Sequence, residues 1–205
     1  MESLDYILLI MNCEKYRYKA EVQKNTWLPM INIPYFHVIG KEDLESPYRF
    51  EGKTLYVRTP DDYCSLPKKV ISAYEAIHKT YEYKYIFKTD DDQMLRDPSF
   101  FSRLTHQLSC QKGVDYGGRM CHITEECFSG YWEYHNELPK TIKMYPNKYC
   151  NGRFYILSQR AVSSLILYKE SISKEYLEDY AIGYFLDPDY KFPIMEIDNN
   201  VFVDF

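Results

Sequence analysis

Apolar residues along the chain fall into two patterns: short unbroken runs, and longer stretches repeating every three to four residues. Tyr6 to Met11 (YILLIM) is too short for a helix and predicts a buried strand. A helix is expected from Glu14 to about Trp27, then a strand at Tyr35–Gly40 (YFHVIG) and another at TLYVR, which begins at Thr54. From Leu66 onward, Leu66, Val70, Ala73, Tyr74, Ile77 and Tyr81 share one face, which predicts an amphipathic helix. The run YKYIFKT, ending at Thr89, predicts the next strand. Asp97 as N-cap and Pro98 at the first helical position predict a helix start. RFYILS, ending at Ser158, predicts a strand, followed by a helix to about Tyr168 and a last helix from about Ser173. Cys121 to Lys148 has little periodicity and many turn residues, as expected of a long surface region that covers something.

Strands alternating with helices imply an α/β layer fold with a mostly parallel sheet. The 205 residues suit one domain over positions 1–205, with no internal repeat or linker. A content of 45% hydrophobic and 27% charged residues is ordinary for a soluble globular chain. Aromatics reach 17%, with 22 tyrosines; such rings stack on sugars and bases, although a bias of the source genome gives the same excess. The net charge of −5 and the dispersed lysines argue against a nucleic-acid groove. The first residues lack a signal pattern, and their apolar run is shorter than a membrane span. A complete chain is therefore expected in the cytoplasm, and a domain cut from a longer protein in the secretory-pathway lumen. The six cysteines are expected as free buried thiols. Cys121, His122 and Cys127 match no zinc spacing.

The stretch YIFKTDDDQML (Tyr85 to Leu95) ends an apolar run in three consecutive carboxylates. In an open parallel sheet, ligands gather at the carboxyl ends of strands. Asp90 and Asp92 can face one ligand there while Asp91 points elsewhere. Their oxygens are hard donors suited to Mn²⁺ or Mg²⁺, which would offset their mutual repulsion. The other reading of such a triplet is a solvated acidic turn. A second acidic pair, Glu178 and Asp179, opens an otherwise apolar helix. It either complements the helix dipole or supplies a general base to a hydroxyl nucleophile. A neighbouring carboxylate raises such a pKa and a helix N-terminus lowers it.

In this order the segments resemble the β-1,3-galactosyltransferase and Fringe-like superfamily of glycosyltransferases. Thr26 and Trp27 in NTWL are similar to its Arg-x-Thr-Trp stretch, and YFHVIG to the following strand and glycine. Asp61, Tyr63, Leu66 and Lys69 fit its Asp-x-Tyr-x-Asn-Leu-x-x-Lys segment. FKTDDDQML resembles its Lys-x-Asp-Asp-Asp metal motif, YPNKYCNGRFYILS its Tyr-Pro-x-Tyr-Cys-x-Gly stretch, and EDYAIG its Glu-Asp-Val-x-x-Gly. The resemblance implies a GT-A fold, a mixed, mostly parallel sheet flanked by helices. It further implies an inverting, metal-dependent transfer of a sugar, galactose or N-acetylglucosamine favoured, from a UDP-sugar to a hydroxyl acceptor such as a glycan.

The implied roles follow residue by residue. Asp92, with Asp90, would ligate Mn²⁺ or Mg²⁺ beside the donor diphosphate. Asp90 and Asp91 would lie on the donor side, and Met11, Asn12 and Cys13 near the nucleotide base. Lys69 would contact the donor or brace the site. Asp179 would take the acceptor proton. Trp132, Gly152 and Glu178 fall on the acceptor side, with Trp132 against a sugar ring or in a structural role. Lys24 stands where relatives have arginine, and Tyr180 where they have valine; Asn151, Arg153 and Phe154 surround Gly152 where relatives carry smaller residues. No histidine follows His135 where the family has its late metal-binding histidine, so water or another group fills that position or the natural protein continues beyond Phe205. Two other classes compete: a non-catalytic nucleotide-sugar or glycan-binding module, and a metal-dependent phosphohydrolase.

Overall fold

The computed structural model describes residues 2–205. Its strands are β1 (Glu2–Met11), β2 (Tyr35–Gly40), β3 (Tyr48–Glu51), β4 (Thr54–Val57), β5 (Tyr81–Asp90), β6 (Gln93–Leu95), β7 (Tyr116–Ile123), β8 (Cys127–Phe128), β9 (Lys143–Met144), β10 (Asn147–Ser158), β11 (Met195–Glu196) and β12 (Phe202–Asp204). Its helices are α1 (Arg17–Asn25), α2 (Leu66–Thr80), α3 (Phe100–Cys110), α4 (Gln159–Leu167), α5 (Lys169–Ile172), α6 (Glu178–Phe185) and α7 (Pro188–Lys191).

The main sheet runs β11-β7-β10-β5-β1-β2-β4-β3. β1 lies parallel to β2 and β5, β2 to β4, and β7 to β11, while β10 runs antiparallel to β5 and β7, and β3 to β4. The expected α/β architecture, a mixed and mostly parallel sheet flanked by helices, is the one observed. Both faces are covered, which explains the unbroken apolar run of β1. Ile7, Leu9 and Met11 enter the core under α2, α4 and α6. Leu8 and Ile10 enter the opposite core with Trp27, Phe100, Phe101 and Leu104. Burying each such side chain contributes ~1.5–3 kcal/mol. The same alternation sends Ile86 of β5 to the first face and Phe87 to the second. Lys88 and Asp90 therefore point toward the α6 side.

Several expectations need correction. The first helix divides into a 3₁₀ turn at Glu14–Tyr16 and α1. Helix α3 starts at Phe100, because the Asp97 carboxylate turns back locally to accept from the Ser99 N–H at 2.9 Å and from the Ser99 hydroxyl at 2.6 Å. Helix α6 starts at Glu178, five residues later than expected. Strand β7 carries Gly117 and Gly118, which hide its apolar pattern. A Cβ on Gly118 would stand 2.7 Å from the Cβ of Cys150, so the close approach to β10 needs glycine there. The cysteines are free, but only Cys150 is buried, while Cys110 and Cys127 are exposed. Among the described residues no helix is long and apolar enough to cross a membrane.

Candidate functional site

The carboxyl ends of β1 and β5 lie side by side, with Met11 opposite Asp90. Two residues back, Lys88 is 1% exposed. Its ammonium lies 2.8 Å from Asp90 Oδ1 and 3.0 Å from Glu178 Oε2, and donates to the Gly152 carbonyl at 2.8 Å. Three strong donors thus meet three acceptors from β5, α6 and β10. Burial works against the Lys88 charge, but the two carboxylates outweigh it and leave its pKa raised.

Each aspartate of the triplet has its own partner, so the repulsion between them is divided among three neighbours. Asp90 takes Lys88, Asp91 takes Lys19 at 3.4 Å, and Asp92 Oδ1 accepts from Gln93 Nε2 at 2.8 Å. Burial dominates all the same and pushes both Asp90 and Asp91 up to about 6. The turn that carries them is held from below. Gln23, fully buried on α1, donates from Nε2 to the carbonyls of Asp90 (3.2 Å) and Gln93 (3.0 Å). The Trp27 indole adds a bond to the Gln93 carbonyl at 3.1 Å. His37 meets Gln23 Oε1 at 3.0 Å from the other side.

Glu178, expected on the acceptor side, is buried and accepts from the Tyr155 hydroxyl as well as from Lys88. It anchors the start of α6. Its neighbour Asp179 is partly exposed; Oδ2 accepts from the Gly152 N–H at 2.9 Å and Oδ1 from the Tyr180 N–H at 2.7 Å. Burial raises the pKa of Asp179, and Lys88 and these two N–H groups pull it down. The Cys121–Lys148 region does form a cover: Leu138, Ile142 and Met144 pack with Tyr149, Leu177 and Tyr180. Within it, His135 stacks on Tyr63 with ring centroids 3.9 Å apart. The Tyr63 phenol is pushed up by burial and then by the charges of Asp179 and Asp90. Trp132 is half-buried under the Lys140 ammonium at 4.5 Å.

At the end of β1 expected near a nucleotide, Lys69 is buried, and it donates to the Asn12 carbonyl and to Asp61 Oδ1, both at 2.8 Å. It braces the end of β1. Met11 belongs to the core and Asn12 is 2% exposed with both carboxamide atoms unpartnered, which leaves Cys13 as the accessible residue of the three. Asp61 ties this edge together further by accepting from the N–H groups of Gly40 and Glu14.

The sequence reading missed Lys88, Gln23 and Asp204, and named Arg153 only as a neighbour of Gly152. Strand β12 pairs antiparallel with β6 and sets Asp204 opposite Gln93. Gln93 Nε2 donates to Asp204 Oδ1 at 2.7 Å as well as to Asp92, and Arg153 grips Asp204 at 2.9 and 3.0 Å. Lys88 stood inside a quoted motif but reads as an ordinary polar strand position. Among the described residues no three His, Cys, Asp or Glu side chains gather as a metal-binding group. Asp90 and Asp92 nevertheless suit a hard divalent cation. Each has one oxygen on a protein partner and a second oxygen without a protein donor, and Mg²⁺-like ions take one or two carboxylates plus phosphate and water.

The family model described as galactosyltransferase matches residues 22–201 of this chain. No curated protein matches it. Among solved structures, the chain is similar to the 2-C-methyl-D-erythritol 4-phosphate cytidylyltransferase of Francisella tularensis, at 12% identity and a TM-score of 0.48, over 98% of this chain and 93% of that one.

Proposed function

This chain belongs to the galactosyltransferase family and is a glycosyltransferase; we propose that it moves a hexose from a UDP-sugar to a hydroxyl acceptor with inversion. The observation that carries this reading is the Lys88 ammonium, which touches both Asp90 of the triplet and Glu178 beside Asp179. Carboxylates from β5 and from α6 thereby share one site with different tasks.

Asp179 acts as the base. An acceptor oxygen attacks the anomeric carbon, its proton passes to Asp179, and the bond from that carbon to the diphosphate oxygen breaks. Attack opposite the leaving group turns an α-linked donor into a β-linked product. Asp92 and Asp90 are the residues to hold Mn²⁺ or Mg²⁺, which when bound supplies positive charge against the departing diphosphate. Gly152 and Tyr180 aim the Asp179 carboxylate through their N–H groups. Tyr63, His135 and Trp132 offer ring faces to an acceptor glycan. A second reading, donor binding without transfer, competes because Asp90 and Asp92 each have one oxygen engaged by Lys88 and Gln93.

A donor panel separates the two. Thermal shift and hydrolysis are recorded with UDP-galactose, UDP-N-acetylglucosamine and UDP-glucose, with Mn²⁺ or with EDTA. A ligand at 100 times its Kd stabilises the native state by about 2.7 kcal/mol. The expected result is one preferred donor, stabilised and turned over only with the cation. Stabilisation without turnover on any acceptor supports the binding module, and no stabilisation by any UDP-sugar overturns both readings.

A further inference from the structure

We propose that Lys88 is a positioning residue for the acceptor-side base: one buried ammonium ties the end of β5, the Gly152 backbone and the start of α6 together, and so sets where the Asp179 carboxylate stands and which charge faces it. The inference rests on the reading of Asp179 as that base.

Besides neutralising Asp90, Lys88 bears on the surroundings of Asp179. It is 1% exposed, so it reaches no substrate directly. Its three contacts come from three elements: Asp90 Oδ1 (2.8 Å), the Gly152 carbonyl (2.8 Å) and Glu178 Oε2 (3.0 Å). Two of them lead to Asp179. Gly152 holds Asp179 Oδ2 through its own N–H at 2.9 Å. Glu178 precedes Asp179 in the first turn of α6, so the place of Glu178 fixes the place from which Asp179 projects. Glu178 is held a second time by Tyr155, whose hydroxyl meets that of Tyr74 at 2.6 Å. Removing one member of such a buried set leaves the others as uncompensated charges or unsatisfied polar groups.

The charge argument agrees with the geometry. Asp90 and Lys88 face Asp179 from β5, and Glu178 from its own helix. The Asp179 charge in turn raises Tyr63 before α2, Tyr131 of the 3₁₀ turn at Tyr131–Glu133, Tyr149 and Cys150 of β10, and Tyr116 and Cys121 of β7. Lys88 is the cation in this set, and Glu178 is the nearest like charge along the chain. The two therefore act on the same carboxylate with opposite signs, which a purely structural brace would not do.

The test uses the full chain with Mn²⁺, UDP-galactose as donor and water as acceptor. kcat and KM are followed against pH for the parent, Lys88→Met, Glu178→Gln and Asp179→Asn. A base must be ionised, so the rate falls on the acid side through its pKa. Lys88→Met is expected to lower kcat by about tenfold or more with little change in KM, and to move the acid limb to higher pH. Glu178→Gln keeps the shape and removes the like charge, so it is expected to move that limb to lower pH. Asp179→Asn is expected to abolish the limb together with most of the turnover. Unmoved limbs in Lys88→Met and Glu178→Gln, with the limb lost in Asp179→Asn, overturn the role of Lys88 and leave the base intact. An Asp179→Asn enzyme with the parent's limb overturns the base reading and this inference with it. If circular dichroism shows Lys88→Met unfolded, Glu178→Gln decides alone: a downward shift supports the proposal, and no shift or an upward one rejects it.

Discussion

Gly183 and Tyr149 touch backbone to side chain where α6 crosses β10: a Cβ on Gly183 would stand 2.3 Å from the Tyr149 Cβ and 2.8 Å from its Cα. No flexible side-chain end can yield there. Helix α6 lies this close to β10 because the residue is glycine, and that closeness lets Asp179 reach the Gly152 N–H. Gly183→Ala should force the helix away and destabilise the fold by ~1–3 kcal/mol, the usual cost of overpacking. A calorimetric scan should show Tm lower by several degrees, with sugar transfer reduced further than the lost stability explains.

The second prediction concerns the floor of the aspartate turn. Gln23→Leu removes the donor to the part-buried carbonyl of Asp90 and the buried one of Gln93. Trp27 still serves Gln93, but the Asp90 carbonyl loses this bond, at a cost of ~1–3 kcal/mol. Chemical denaturation should show that loss, and Mn²⁺ titration should show weaker binding although no carboxylate has changed.

A third prediction follows from pH. Asp90 and Asp91 sit near 6, above the ordinary value of 3.8. Between those values the native state binds more protons than the unfolded chain, so their stabilisation is lost as pH rises toward 6. His37 runs the other way. Burial holds it down to about 4 from 6.5, so its stabilisation is present above 6.5 and is lost as pH falls toward 4. The two effects oppose each other in one window. The two aspartates outnumber the histidine, so in Asp91→Asn, Tm should fall less steeply with pH between 4 and 6 than in the parent. An unchanged slope would mean that Asp91 titrates normally.

A fourth prediction tests the C-terminal strand. Asp204 joins Gln93 and Arg153, and the Phe205 N–H adds a bond to the Asp92 carbonyl at 3.1 Å. Asp204→Asn should speed hydrogen exchange in Gln93–Leu95 without altering exchange in β1. Equal exchange in the two proteins would show that the strand holds nothing in place.

The strand–helix alternation was legible because both cores impose simple periods: Ile7 and Leu9 face one side and Leu8 and Ile10 the other, and α2 shows its stripe openly. Strand β7 was hidden by the glycines that its packing requires, and β6 and β12 are too short for a period to appear. At the site, Asp90, Asp92 and Asp179 were legible because adjacent carboxylates at element ends are unusual. Lys88, Gln23 and Asp204 were not, since each acts through a partner between 67 and 111 positions away, Glu178, Asp90 and Gln93 among them. Lys69 was left between contacting the donor and bracing the site, because one sequence does not reveal that it reaches Asp61 and the end of β1.

The most direct test of the whole account is the turnover of UDP-galactose by Asp179→Asn at saturating Mn²⁺, relative to the parent. If Asp179 accepts the acceptor proton, kcat falls by about 10²–10⁴-fold. A variant that turns over at the parent's rate contradicts the account.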